Sequence, residues 1–142
     1  MSTYTSVPTE EAATEGEQPA DSKRVDAWRA MVSCAAQSLV VEATDVLQGL
    51  DKSREPIVDA IVRAARDGAD LVPVASLDDF HPSEAWKKQY VDDVRASTNE
   101  LGRLLAAMSA THDPLIFTVG RVAASSAKLL AVLVGTPDPL IC

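Results

Sequence analysis

The chain has 142 residues, a formal net charge of −8, and 46% hydrophobic but only 4% aromatic residues. That length matches a single domain, and the apolar fraction can fill a core of Ala, Val, Leu and Ile. The acidic balance speaks against nucleic acid, which calls for a basic face, and against polybasic anchoring on anionic lipid.

The chain opens on MSTYTSVPTEEAATEGEQPADS (1–22), rich in Thr, Glu, Pro, Ser and Gly. With so little to bury, this stretch cannot offset its ordering entropy, and a disordered acidic tail is expected. It is polar and acidic rather than basic and then apolar, so it does not read as a signal peptide. A reducing, cytoplasmic setting is the expectation that follows.

From Lys23 the pattern turns helical. Trp28, Val32, Ala35, Leu39, Ala43, Val46, Leu47 and Leu50 fall three or four apart and gather into one apolar stripe. A short link around 51–54 leads to a second helix, with Pro56 in its first turn, where a missing N–H costs no intrahelical bond. Its stripe reads Ile57, Ile61, Ala65, Gly68, Ala69 and Val72; its outward positions Asp59, Arg63, Arg66, Asp67 and Asp70 make a charged solvent face. PVASLDDFH (73–81) reads as a loop.

The third helix carries Trp86, Tyr90, Val94, Leu101, Leu104, Leu105 and Met108 on its stripe. A link at 109–112 precedes the fourth, for which Asp113 is the expected N-cap and Pro114 a first-turn residue. Its stripe is Leu115, Val119, Val122, Ala123, Ser126 and Leu130; Gly135 and Pro137 stop it, leaving 135–142 as a short tail.

Sliding the chain by 58 positions brings Trp28 onto Trp86 and Ala27 onto Ala85, then Pro56 onto Pro114, Arg63 onto Arg121, and Leu71 onto Leu129, without a gap. The register implies a duplicated helical hairpin, 23–72 and 82–134. Short links leave consecutive helices little choice but antiparallel packing. Neither hairpin can cover its stripe alone. The predicted fold is therefore all-α: an antiparallel up-down-up-down four-helix bundle over 23–134, with both tryptophans as core plugs near equivalent ends.

No catalytic, cofactor-binding or metal-binding residue is predicted. Ferritin-like bundles bind two metals through inward Glu and Glu-x-x-His pairs. Glu42 and Glu100 are repeat-related and mid-helix, but the residues three later are Asp45 and Arg103. His81 and His112 sit at helix starts, away from both. Both glutamates read as carboxylates at the edge of the core. Ser125 and Ser126 have no base at helical spacing, and the chain holds no phosphate loop, nucleophile elbow or zincin motif. Cys34 and Cys142 form neither a disulfide framework nor a metal spacing. Cys34 is expected as a buried thiol and Cys142 as a dangling one.

LIFTVGRVAASSAKLLAVLV (115–134) has the length of a membrane span, but Arg121 and Lys128 share one face near its middle. Each would cost about 3 kcal/mol in a bilayer. A helix packed in the bundle is expected instead.

The outward positions of the second helix have counterparts in the fourth at Phe117, Arg121, Ala124, Ser125 and Lys128. A charged solvent face has become a small, partly apolar one. Such patches tend to mark docking sites, and a partner helix could lie there apolar face down. Phe117, Arg121, Ala124 and Lys128 are the candidate protein-binding residues, for a partner helix or a second copy of the chain. The alternative is a small-molecule sensor or enzyme with its site in the bundle interior, around Glu42, Glu100 or a histidine.

HPSEAWKKQYVDDVRASTNELGRLLAAMSA followed by DPLIFTVGRVAASSAKLLAVL (81–133) resembles consecutive helices of the vinculin, α-catenin and talin-rod bundles. The shared features are long Ala/Ser/Leu-rich helices, a His-Pro or Asp-Pro entry, and small residues along the core; the focal-adhesion-targeting bundle is similar in the same way. The resemblance implies a non-catalytic scaffold or adaptor that binds helices of other proteins. No actin- or peptide-binding residue carries over.

Overall fold

The computed structural model describes residues 9–77 and 83–135, with side chains in the first helix from Lys23 onward. Four α-helices, α1 (Thr9–Gly49), α2 (Glu55–Leu71), α3 (Glu84–Ala110) and α4 (Ile116–Val134), pack as an all-α four-helix bundle, with no strand among the described residues. The helix α1 begins at Thr9, within the stretch expected to be a tail; residues 1–8 and the expected C-terminal tail from residue 136 lie outside the described residues.

Local signals set the helix starts. Pro56 occupies the first turn of α2. Ser83 caps α3, its hydroxyl accepting from the Trp86 amide at 3.0 Å. Asp113 was the expected cap of the fourth helix, but its carboxylate accepts from the Leu115 amide at 2.9 Å and closes a turn, so that α4 starts at Ile116. The link ahead of it bends at His112, at a φ of 54°.

The core forms where the stripes meet. α1 packs on α2 and α4, and α3 packs on α4 and α2. On α1 every expected stripe residue is buried except Leu47, which is half-buried. Phase is less well read on α2 and α4. Ala69 is exposed, while Ala60, Ala64 and Leu71 are buried; on α4 the reading omitted Leu129, Val132 and Leu133, all buried. Alanine gives little hydropathic contrast, so an Ala-rich helix leaves its own rotation underdetermined.

One end of the bundle is tied by two adjacent side chains of α1. Trp28 is 1% exposed, and its indole Nε1 donates to the Val132 carbonyl at 2.9 Å. That carbonyl lies in the last turn of α4, where helix carbonyls have no intrahelical partner. Trp86 meets Trp28 edge-on at 6.1 Å and is only half-buried.

Arg29, also buried, sends Nε and Nη2 to the Val74 carbonyl at 3.1 and 3.0 Å, Nη2 also to the Leu77 carbonyl, and Nη1 to Asp26. The expected loop after α2 is thereby wound into a 3₁₀ turn, Val72–Ser76, with Val74 buried. Residues 78–82 of that connection, including His81, lie outside the described residues.

Gly68 sets how closely α2 approaches α1. A Cβ there would stand 3.0 Å from both the Ala36 carbonyl oxygen and Val40 Cγ2. Overpacking of this kind typically costs about 1–3 kcal/mol. Gly68→Val is expected to lower the unfolding free energy by about that amount in urea titrations, despite the poor helix propensity of the glycine it removes.

Candidate functional site

The four residues assigned to docking lie on one side of α4. Their spacing of three or four places them there, and Phe117, Arg121, Ala124 and Lys128 are all exposed. Phe117 is 84% exposed, the most open large apolar side chain among the described residues. Ala131 is exposed as well, while Val134, 49% exposed, turns toward α3 and lines a hollow with Lys88, Asp92 and Arg95.

Sequence reasoning treated this patch as belonging to α4 alone. The structure adds the neighbouring edge of α1. Arg121 Nη2 donates to both carboxylate oxygens of Glu42, at 2.8 and 3.0 Å. Beside this pair runs a groove of about 660 Å³, lined from α1 by Cys34, Gln37, Ser38, Val41 and Asp45 and from α4 by Ser125 and Lys128. Val41 is 53% exposed. Cys34, expected as a buried thiol, is exposed in this groove. The signal was present in the sequence: Cys34, Gln37, Ser38 and Val41 fall on one outward helical stripe, and none of them is charged.

The opposite side of the bundle has another character. Asp59, Arg63, Arg66 and Asp70 on α2, and Asp93 and Arg103 on α3, are exposed there. Mixed charge of both signs is a solvated surface; on the α1–α4 side Glu42, Asp45, Arg121 and Lys128 stand among exposed apolar and uncharged groups.

The interior holds few polar groups. Ser126 and Ser97 are buried; Ser126 shares a hydrogen bond with Thr98 Oγ1 at 2.7 Å, and Ser97 donates to Asp67 Oδ2 at 2.5 Å. Of the two mid-helix glutamates, Glu42 binds Arg121 and Glu100 binds Arg103. Among the described residues, no group of three or more His, Cys, Asp or Glu side chains could hold a metal. A smaller hollow of about 260 Å³, lined mainly by apolar atoms of Ile57, Leu104 and Met108, opens beside the Arg54–Asp113 ion pair.

The helix α4 and the Lys23–Gly49 part of α1 each contain an 18-residue stretch long and apolar enough to cross a membrane. Each turns one stripe into the bundle core.

Asp67 departs from the solvent-facing role read for it. It is half-buried against α3, and burial pushes its carboxyl above the usual value of 3.8. Ser97's hydrogen bond opposes that shift, and neighbouring Asp93 and Asp70 add to it, with Arg63 acting against them. No family model, curated protein or solved structure matches the chain.

The Asp67 shift has a defined pH signature. A raised folded-state pKa means the folded protein holds its proton to higher pH than the unfolded chain does. Stability is then lost as pH climbs from about 3.8 through the raised value. Asp67→Asn, which keeps an acceptor for Ser97, is expected to raise Tm at pH 7 and to leave it near wild type at pH 3.5. Thermal melts across that range check this; equal Tm differences at both ends contradict it.

Proposed function

We propose that the protein is a non-catalytic adaptor or scaffold module that binds a helix of a partner, or a second copy of itself, on the α1–α4 face. The observation that carries the reading is the contrast between the two sides of the bundle. One side is solvated by charges of both signs, while the other exposes Phe117, Val41 and Ala124 around the Glu42–Arg121 pair, with Asp45 and Lys128 beside it. Exposed apolar surface flanked by polar groups is the usual mark of a protein contact. The module is assigned to the cytoplasm.

The finer architecture proposed with it is an antiparallel up-down-up-down bundle of two duplicated hairpins. Contacts along the bundle support the antiparallel order. Trp28, midway along α1, meets Val132, late in α4, and Trp86, early in α3, while Glu42 farther along α1 meets Arg121 nearer the start of α4. At the other end, the α1–α2 and α3–α4 links meet through Arg54 and Asp113.

Burial supports the duplication. Several repeat-related pairs share their environments: Ala36 with Val94, Ala43 with Leu101, Leu50 with Met108, Ile61 with Val119 and Leu71 with Leu129 are buried, whereas buried Met31 and Ala35 pair with exposed Gln89 and Asp93. Ala69 with Ala127 and Arg63 with Arg121 are exposed. The resemblance to vinculin-like and talin-rod bundles agrees with the same role.

Capture of binding proteins from cells on immobilised full-length chain tests the reading. Wild type is compared with Phe117→Glu, whose side chain already faces water. The variant is expected to keep its helix content by circular dichroism and to lose the proteins held by wild type. An unchanged set of captured proteins, with the fold intact, would remove the α4 face as the docking surface.

A further inference from the structure

We propose that the occupant of the α1–α4 face is a second copy of this chain, docked about a two-fold axis that runs along the groove between the two helices. The inference rests on the docking reading above and names its partner. The groove carries its own electrostatic complement. Its α1 edge holds the acids Glu42 and Asp45, and its α4 edge holds the cations Arg121 and Lys128. Acid lies on one side and base on the other.

Symmetry decides how two such faces can meet. The Glu42–Arg121 contact fixes which levels of α1 and α4 are neighbours. An axis along the groove preserves those levels and lays the α1 edge of each copy on the α4 edge of the other. Arg121 is then bracketed by its own Glu42 and by Glu42 and Asp45 of the second copy. The small side chain of exposed Ala124, on the Arg121–Lys128 side of α4, allows close helix approach. An axis across the groove would set α4 on α4 and oppose Arg121 to Lys128, a like-charge contact that costs affinity. Only the first arrangement satisfies the charges.

The size fits. A strip about 30 Å long, for the 19 residues of α4, and two helix widths across covers about 600 Å² in plan, near the roughly 800 Å² a standard interface takes from each partner. The net charge of −8 on each copy repels at long range, but at physiological salt that field is screened over about 8 Å.

The same axis gives a geometric marker. Cys34 lines the groove, and in an isologous interface a residue beside the axis meets its own copy.

Sedimentation equilibrium of the full chain at physiological salt, from micromolar to submillimolar concentration, reads the association. Wild type is expected to reach twice the 15.1 kDa chain mass. Phe117→Glu and Ala124→Glu should each weaken the dimer roughly tenfold or more, while Arg66→Ala on the charged face leaves it unchanged.

A chain carrying Cys142→Ser, with Cys34 as its one thiol, is then treated with a short bis-maleimide. It should form a covalent dimer that Ala124→Glu suppresses; this measurement leaves the docking face itself unaltered. A wild-type monomer at every concentration overturns the proposal, as does a dimer indifferent to the α4 substitutions or one in which Cys34 does not cross-link. If wild type is monomeric yet Phe117→Glu still loses captured proteins, self-association falls and the docking reading stands. If both fail, both fall.

Discussion

Trp28 and Arg29, consecutive residues of α1, together hold one end of the bundle. The indole satisfies a carboxy-terminal carbonyl of α4, and the guanidinium satisfies the Val74 carbonyl of the 3₁₀ turn that follows α2 and the Leu77 carbonyl just beyond it. One helical turn of α1 thus reaches the two segments that sequence distance would most easily let drift. A helix end with unpartnered carbonyls in a buried setting is costly. Supplying donors from α1 removes that cost only when α4 and the end of α2 lie alongside it. The hydrophobic stripes provide most of the driving force, but stripes tolerate sliding and rotation; directional bonds to fixed carbonyls do not.

The exposed face inherits its form from that arrangement. With α1 held beside α4, Glu42 comes level with Arg121, and the uncharged outward stripe of α1 forms one wall of a groove whose other wall is α4. The bundle thereby separates two kinds of surface, a charged side on α2 and α3 and, on α1 and α4, a side where four charges stand among exposed apolar and uncharged groups. Neither surface is visible in the net charge, which averages over both.

Much of the fold was legible because its signals were periodic. The α1 stripe, the proline that opens α2 and the helix count come from spacing alone. What escaped was what spacing does not encode. The rotation of α2 and α4 was misjudged at Ala69 and at Leu129, Val132 and Leu133, since alanine fits either side of a helix. The 3₁₀ turn at Val72–Ser76 was read as loop because the arginine that winds it lies more than forty residues earlier in the chain. Asp67 looked solvated in the pattern and is half-buried through contact with Ser97 on another helix. The α4 half of the candidate face was read from the loss of charge between repeat-related helices; the α1 half depended on knowing which helix lies next to which.

The measurement that tests the clamp most directly is hydrogen exchange and urea unfolding of Arg29→Met, which keeps the apolar stem and removes the donors. The account predicts a loss of about 2–4 kcal/mol, from leaving buried carbonyls unpartnered, together with collapse of amide protection across Val72–Ser76 and the end of α2. A variant that unfolds at the wild-type free energy with that protection intact would contradict it.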